Sequence, residues 1–200
     1  EKRWAFVMDS KKNLIGIKKG PITGSGKTEV HRLTAASNYK KFDLQTATAL
    51  HYTGDNWDFV MDSKDNLVAI LKGPSTGSKK TEVHRMSAAS GYKKFDLQVG
   101  TGLHYTDKTW AFVMDSKDNL VCIKKGPVTG SKKTEVHRLS AASNYAKFDL
   151  QVGTGLHYTD DTWAFAMDSK NNLVCIKKGP VTGSKKTEVH RLSAASNYAK

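Results

Sequence analysis

The sequence predicts an all-β fold, a four-bladed β-propeller, on three observations. A segment of 53 residues recurs without insertion or deletion, and each copy begins at a tryptophan, namely Trp4, Trp57, Trp110 or Trp163. Each complete copy carries four short strand-like runs, the shortened fourth copy carries three, and none carries a helical pattern of about three turns. Repeats of this kind are typical of propeller blades. The copies span 4–56, 57–109, 110–162 and 163–200, and we expect a single domain, 1–200.

The third copy shows how the elements are predicted. Alternating or continuous apolar residues indicate strands, and clusters of Asp, Asn, Ser, Gly and Pro indicate connections. The predicted strands are Trp110–Ser116, Leu120–Lys125, Thr134–Ser140 and Lys147–Leu156. The predicted turns and loops are Asp115–Asn119, Gly126–Lys133 and Ser140–Tyr145.

The fourth copy stops at Lys200, the equivalent of Lys147. We therefore expect the last blade to lack its outermost strand. An open sheet edge favours pairing with another strand, so a homo-oligomer through the incomplete last blade is one expected partner arrangement.

Composition limits the classes of function. The net charge is +13 and the isoelectric point is near 9.6, which favours anionic partners such as acidic glycans, nucleic acid or a membrane surface. No apolar run approaches the roughly 20 residues that cross a bilayer, so membrane insertion is not expected. The N-terminus lacks the apolar core of a signal peptide, which leaves a cytoplasmic location or secretion after processing both open.

Two cysteines and a glycine-rich loop are interpreted as structural. Cys122 and Cys175 occupy one position of adjacent copies, where Gly16 and Ala69 stand earlier, so we expect small buried thiols. The segment 20–28, GPITGSGKT, imitates a phosphate-binding loop, but the other copies lose the pattern and no helix follows. A hairpin loop is the expected structure.

No catalytic arrangement stands out. The histidines of the TEVHR motif recur once per copy on the predicted third strand and are expected to be hydrogen-bonded structural residues. They are His31, His84, His137 and His190. Since every candidate is repeated and none is singular, we expect a binding protein and not an enzyme.

Two sequence blocks resemble a known repeat type. The run IKKGPVTGS–KKTEVHRLSAASNY, followed by FDLQVGTGLHYT, is similar to repeats of FG-GAP/VCBS-type proteins in all four copies. The resemblance implies a β-propeller, and several fungal and bacterial propellers of this general kind are lectins. The family's calcium loop is DxDxDG or DxNxDG, whereas the present loops are DSKKNL, DSKDNL and DSKNNL. Lysine at the third ligand position repels a cation, so no metal or other cofactor is expected.

The candidate binding residues lie where one copy joins the next. Aromatic rings stack on the C–H faces of sugars, while His, Asp and backbone groups bond to hydroxyls. The HYT motif and the following tryptophan supply such groups, although each tryptophan is also suited to the core between blades. The residues are His51, Tyr52, Trp57, His104, Tyr105, Trp110, His157, Tyr158 and Trp163.

Lysines of the GPVTGSKK loop are expected at the same end of each blade. Lys80, Lys133 and Lys186 would give that end a positive charge that attracts acidic glycans or phosphate backbones. The predicted function is therefore a multivalent lectin that binds glycans or glycoproteins. The alternatives are a polyanion binder, with nucleic acid the less expected ligand, and a structural or storage protein without a dedicated ligand.

Overall fold

The computed structural model describes residues 3–20, 23–73, 76–126, 129–179 and 182–200. The predicted loop Gly126–Lys133 lies partly outside this range, at 127–128, as do its equivalents at 21–22, 74–75 and 180–181. Within the described residues there are strands and single turns of 3₁₀ helix, and no α-helix.

The strands of the first two copies are β1 (Trp4–Met8), β2 (Leu14–Lys18), β3 (Glu29–Leu33), β4 (Phe42–Ala47), β5 (Trp57–Met61), β6 (Leu67–Leu71), β7 (Glu82–Met86) and β8 (Phe95–Gly100). Those of the last two are β9 (Trp110–Met114), β10 (Leu120–Lys124), β11 (Glu135–Leu139), β12 (Phe148–Gly153), β13 (Trp163–Met167), β14 (Leu173–Lys177) and β15 (Glu188–Leu192). The 3₁₀ turns are Ala35–Ser37, Ala88–Ser90, Ala141–Ser143 and Ala194–Ser196.

Each copy forms its own antiparallel sheet. Strands pair in chain order, β1-β2-β3-β4, β5-β6-β7-β8 and β9-β10-β11-β12, and the last sheet is β13-β14-β15. The predicted fold class, all-β with four propeller-type blades, is confirmed, and so is the missing outermost strand of the last blade. The sequence predicted Ser140–Tyr145 as a plain turn, but it contains a 3₁₀ turn that Asn144 closes with a left-handed backbone.

The chain forms two compact units, Glu1–Gly100 and Thr101–Lys200. The first unit holds the sheets β1–β4 and β5–β8, and the second holds β9–β12 and β13–β15. The prediction of a single domain stays a prediction.

Each sheet has two apolar faces, as predicted for its early strands. We call them the tryptophan face, which in the second sheet carries Trp57 and Phe59, and the valine face, which in the first sheet carries Ile17 and Val30. In the first unit the valine face of the first sheet packs on the tryptophan face of the second, and Ile17 and Val30 are fully buried with Leu67. Burying such side chains stabilises the fold by about 1.5–3 kcal/mol each.

The second unit repeats this packing with the next pair of sheets. Ile123 and Val136, on the valine face of the third sheet, lie in one cluster with Leu173 and Cys175 on the tryptophan face of the fourth. Both cysteines are buried free thiols, as predicted, and burial raises the pKa of Cys175 to about 12.

Candidate functional site

Strand register brings the two candidate segments to one end of each sheet. In the third copy Trp110 pairs with Lys124, and Lys124 pairs with Glu135. Glu135 in turn pairs with Gly153, where β12 ends. The GPVTGSKK loop and the HYT segment (His157–Thr159, with equivalents at 51–53 and 104–106) therefore share this end, as predicted. We call it the loop end of the sheet.

Buried threonines anchor the HYT segment of the first unit. Thr28 is fully buried, and its hydroxyl donates to the His51 carbonyl at 2.7 Å while lying 3.0 Å from the Thr53 hydroxyl. The Thr28 N–H donates to the Leu50 carbonyl at 3.0 Å, and the Thr48 hydroxyl donates to the Thr28 carbonyl at 2.8 Å. These bonds hold the backbone of the segment, while the His51 and Tyr52 side chains are exposed and Thr53 is buried.

The second unit repeats the same anchor. The Thr134 hydroxyl donates to the His157 carbonyl at 2.8 Å and lies 3.0 Å from the Thr159 hydroxyl. Thr134 is fully buried, whereas Thr187, its equivalent in the last copy, is exposed. The role of these threonines was not predicted from the sequence, although they recur as the first residue of the TEVHR motif and the last residue of HYT.

The tyrosines of the three HYT segments are exposed in the same way. Tyr52 is 50% exposed, and Tyr105 and Tyr158 are each 45% exposed. The Tyr158 ring lies over Gly126, since a Cβ on that glycine would come within 2.6 Å of the ring Cγ. Tyr52 lies near the equivalent loop of the first unit, with its hydroxyl 3.6 Å from the place of a Cβ on Gly26. Each of the three side chains is thus about half exposed.

Histidine and lysine side chains accompany the tyrosines at the loop end. His51, His104 and His157 are exposed, and so are the predicted lysines Lys80, Lys133 and Lys186. Lys133 and Tyr158 lie on the two segments that Thr134 joins. A hydrogen-bonding ring, an aromatic ring and a positive charge are thus presented together in the second unit.

A buried lysine ties the HYT segment to its sheet. Lys125 Nζ lies 2.7 Å from Asp161, and Lys19 Nζ lies 3.6 Å from Asp55 in the first unit. In copy two a lysine, Lys108, stands at the position of these aspartates. The buried lysine of that copy, Lys72, pairs instead with Asp58 at 3.2 Å, and the other copies have alanine at the position of Asp58. Each buried ammonium is therefore paired, which burial of a charge requires.

The tryptophans take a different place from the rest of the predicted site. Trp57 belongs to the cluster between the first two sheets and Trp163 to the cluster between the last two, while Trp110 is buried. Each packs on the histidine of its own third strand with ring centroids 5.3 Å apart, as in Trp110–His137. This packing serves the core between sheets.

Each third-strand histidine lies beside a glutamate of its own strand, and its structural role stays a prediction. His137 lies between Trp110 and Phe148, and its Nε2 is 3.2 Å from a Glu135 carboxylate oxygen. Burial alone would raise the pKa of Glu135, but hydrogen bonds from the Ser131 N–H and hydroxyl and from His137 hold it below its ordinary value of 4.5. The Ser–Glu–His chain fixes the GPVTGSKK loop to the sheet.

The aspartate turns lie at the other end of each sheet. Asp62 accepts hydrogen bonds from the Lys64 and Asn66 N–H groups and from the Asn66 side chain, at 2.8–3.0 Å. Asn66 Oδ1 in turn accepts from the Ala88 N–H at 2.9 Å. The carboxylate closes the turn and joins it to the 3₁₀ turn. Among the described residues no group of three or more His, Cys, Asp or Glu side chains could hold a metal ion.

Comparison with known proteins adds little to this geometry. No protein family and no curated protein sequence matches the chain. One similar solved structure is a crystal structure of a eukaryotic initiation factor, at 11% identity and a TM-score of 0.34, over 88% of this chain and 48% of that one. The chain thus spans about half the length of that protein. In the described part of the chain, no helix is both long and apolar enough to span a membrane.

Proposed function

We propose that the protein binds carbohydrate multivalently through the HYT segments. The observation that carries the proposal is the repeated presentation of a half-exposed tyrosine, Tyr52, Tyr105 and Tyr158, beside an exposed histidine. A half-exposed aromatic ring suits the C–H face of a sugar, and the imidazole suits its hydroxyl groups. The rigid anchor limits the conformational entropy lost on binding.

The tryptophans are excluded from the proposed contact surface because Trp57 and Trp163 pack in the clusters between sheets and Trp110 is buried. The proposed site therefore consists of His51 and Tyr52 and their equivalents, with the neighbouring lysines selecting acidic sugars. Several weak sites on one chain would engage a clustered glycan surface with higher overall affinity than one site alone.

A glycan array followed by calorimetry tests the proposal. We expect Y158A to remove about one third of the bound sugar at saturation, and the triple variant Y52A/Y105A/Y158A to remove binding. Tyr39 provides the matched control, because it is 42% exposed but its hydroxyl donates to the Lys12 carbonyl at the end of the sheet opposite the loop end. Y39A should bind sugar normally. Undiminished binding by the folded triple variant would exclude these rings.

A second candidate function is the binding of polyanions through the exposed loop lysines. The observation in its favour is that Lys80, Lys133 and Lys186 are exposed on a chain of net charge +13. Salt separates the two functions, since polyanion binding weakens steeply with ionic strength and sugar stacking does not. Binding to a heparin column that the variant K80E/K133E/K186E loses, with no response to any neutral glycan, would favour this second function.

A further inference from the structure

A lysine recurs at the same position of every copy, directly after the second strand of each sheet. The four are Lys19, Lys72, Lys125 and Lys178. The first three are buried and the last is exposed. Asp55 and Asp161 pair with the buried lysines from one position of the copy, whereas Asp58 pairs from another. The ammonium group is therefore common to the copies, while the position of its counter-ion changes.

Stability alone does not require a charge at this position. A buried ion pair can often be replaced by apolar side chains of similar size without loss of stability. The two members of the pair in the second unit differ in exposure, since 77% of the Asp161 side chain is exposed but only 10% of the Lys125 side chain. Water solvates such an aspartate when it leaves the ammonium, so an exposed partner is held only weakly. The lysine is thus a buried cation with an exchangeable counter-ion.

The buried cation of the third copy lies beside the proposed sugar-binding ring. Lys125 directly precedes Gly126, against which the Tyr158 ring packs. The Lys125 N–H donates to the Thr109 carbonyl at 2.8 Å, which fixes its backbone at the loop end. Its ammonium lies 2.7 Å from Asp161, three residues after Tyr158. A positive charge and an aromatic ring are therefore held next to each other.

The first copy offers the same groups in a looser arrangement. Lys19 Nζ lies 3.6 Å from Asp55, whose side chain is 84% exposed. The Lys19 N–H donates to the Arg3 carbonyl at 2.8 Å. The half-exposed Tyr52 stands three residues before Asp55, as Tyr158 does before its aspartate. The arrangement thus occurs in both units.

We propose that the Lys125 ammonium recognises the carboxylate of an acidic sugar, which displaces Asp161 while the sugar ring stacks on Tyr158. The inference rests on the proposed function and names the substrate class of that site, sugars that carry a carboxylate. A buried ammonium forms a charge-assisted hydrogen bond with a carboxylate and a weaker bond with a neutral group. The net charge of +13 draws such anions to the protein. Lys19 has the same role beside Tyr52.

A matched pair of ligands tests the inference, namely an acidic glycan identified on a glycan array and the methyl ester of its carboxylate. Titration calorimetry on the variant Y52A/Y105A isolates the site of the third copy. The ester should bind at least about tenfold more weakly than the acid, because the charge-assisted hydrogen bond is lost. In the same background K125M should bind the acid and the ester with equal affinity.

Lys178 provides the matched control, because it holds the same position in the last copy but is exposed and is not followed by an HYT motif in the sequence. K178M removes the same charge and should keep the preference for the acid. D161N removes the internal carboxylate and should bind the acid at least about twofold more tightly. K125M should fold, as a urea titration will check, because methionine is apolar and of similar length and the aspartate stays in water.

The outcomes separate this inference from the proposed function. An array that responds only to neutral glycans, equal affinity for acid and ester, or a K125M variant that keeps the preference overturns the inference alone. Loss of the preference in K178M as well would show a general effect of charge and would also overturn it. If D161N does not bind the acid more tightly, the exchange with Asp161 is wrong, and this holds even if K125M does not fold. An array that responds to no glycan overturns both the inference and the proposed function.

Discussion

Replacement of Gly126 by alanine tests whether the tyrosine of the HYT segment is positioned by the loop beneath it. A Cβ at this position would overlap Cδ1 of the Tyr158 ring, and it would lie 2.6 Å from Cγ and 2.8 Å from Cβ of the same side chain. Carbon atoms in contact are normally about 3.5–4.0 Å apart, so the ring must move by about 2 Å. Backbone strain does not enter, because Gly126 is not among the glycines with a positive φ.

We expect G126A to lower the free energy of unfolding by about 1–3 kcal/mol, the usual cost of inserting a methyl group into a packed contact. Urea denaturation followed by tryptophan fluorescence measures this loss. The double variant G126A/Y158A should recover most of it, because the smaller side chain leaves room for the new methyl group. Under the proposed function, G126A should also remove the sugar-binding contribution of the third copy.

Gly179 is the matched control because it occupies the same position in the last copy. There the nearest atom to an added Cβ is a Lys186 backbone carbon at 3.9 Å, which is ordinary contact. G179A should leave the unfolding free energy within about 0.5 kcal/mol of the wild type. Equal losses in G126A and G179A, or no recovery in the double variant, would refute the reasoning.

Four further predictions concern stability and reactivity. T134V should cost about 1–3 kcal/mol through loss of its two buried hydrogen bonds, while T187V, at the exposed equivalent, should cost little in the same urea titration. K132G should raise the melting temperature, because Lys132 holds a left-handed backbone with φ 56°. The lowered pKa of Glu135 contributes stability that is present above pH 4.5 and lost as the pH falls through the lowered pKa. E135Q should therefore flatten the acid limb of a stability–pH curve. Cys175, with its pKa raised to about 12, should react with a thiol reagent only on unfolding.

The elements could be predicted from sequence because their signals are local. The alternation from Trp110 and the apolar run from Leu120 lie within single strands, and Asp115–Asn119 bonds to its own backbone. The predicted strands ran one to four residues too long, since Asp115 and Thr154 use their backbone and side chains in turns and connections. The shared end of the HYT segment and the GPVTGSKK loop followed from simple alternation of strand direction.

The exposure of individual side chains could not be predicted, because equivalent residues of different copies have different neighbours. Tyr39 is 42% exposed while Tyr92 and Tyr198, at the same position of other copies, are 2% and 1% exposed. The difference in exposure arises from whether another sheet packs beside the tyrosine. The role of Asp58 could not be predicted either. It pairs with Lys72 because copy two has Lys108 at the position where an aspartate would otherwise pair with that lysine. Glycan binding, the absence of catalysis and a partner at the last blade stay predictions.

The order of strands within each sheet also bears on how the protein reaches its folded state. Because every strand pairs with the strand next to it in the chain, no pairing has to wait for a distant segment. Each sheet can therefore form as soon as its own residues leave the ribosome. The near-identity of the copies favours mispairing during synthesis, because a strand from one copy fits the sheet of the neighbouring copy almost as well as its own sheet. Prompt local pairing limits the time available for such exchange.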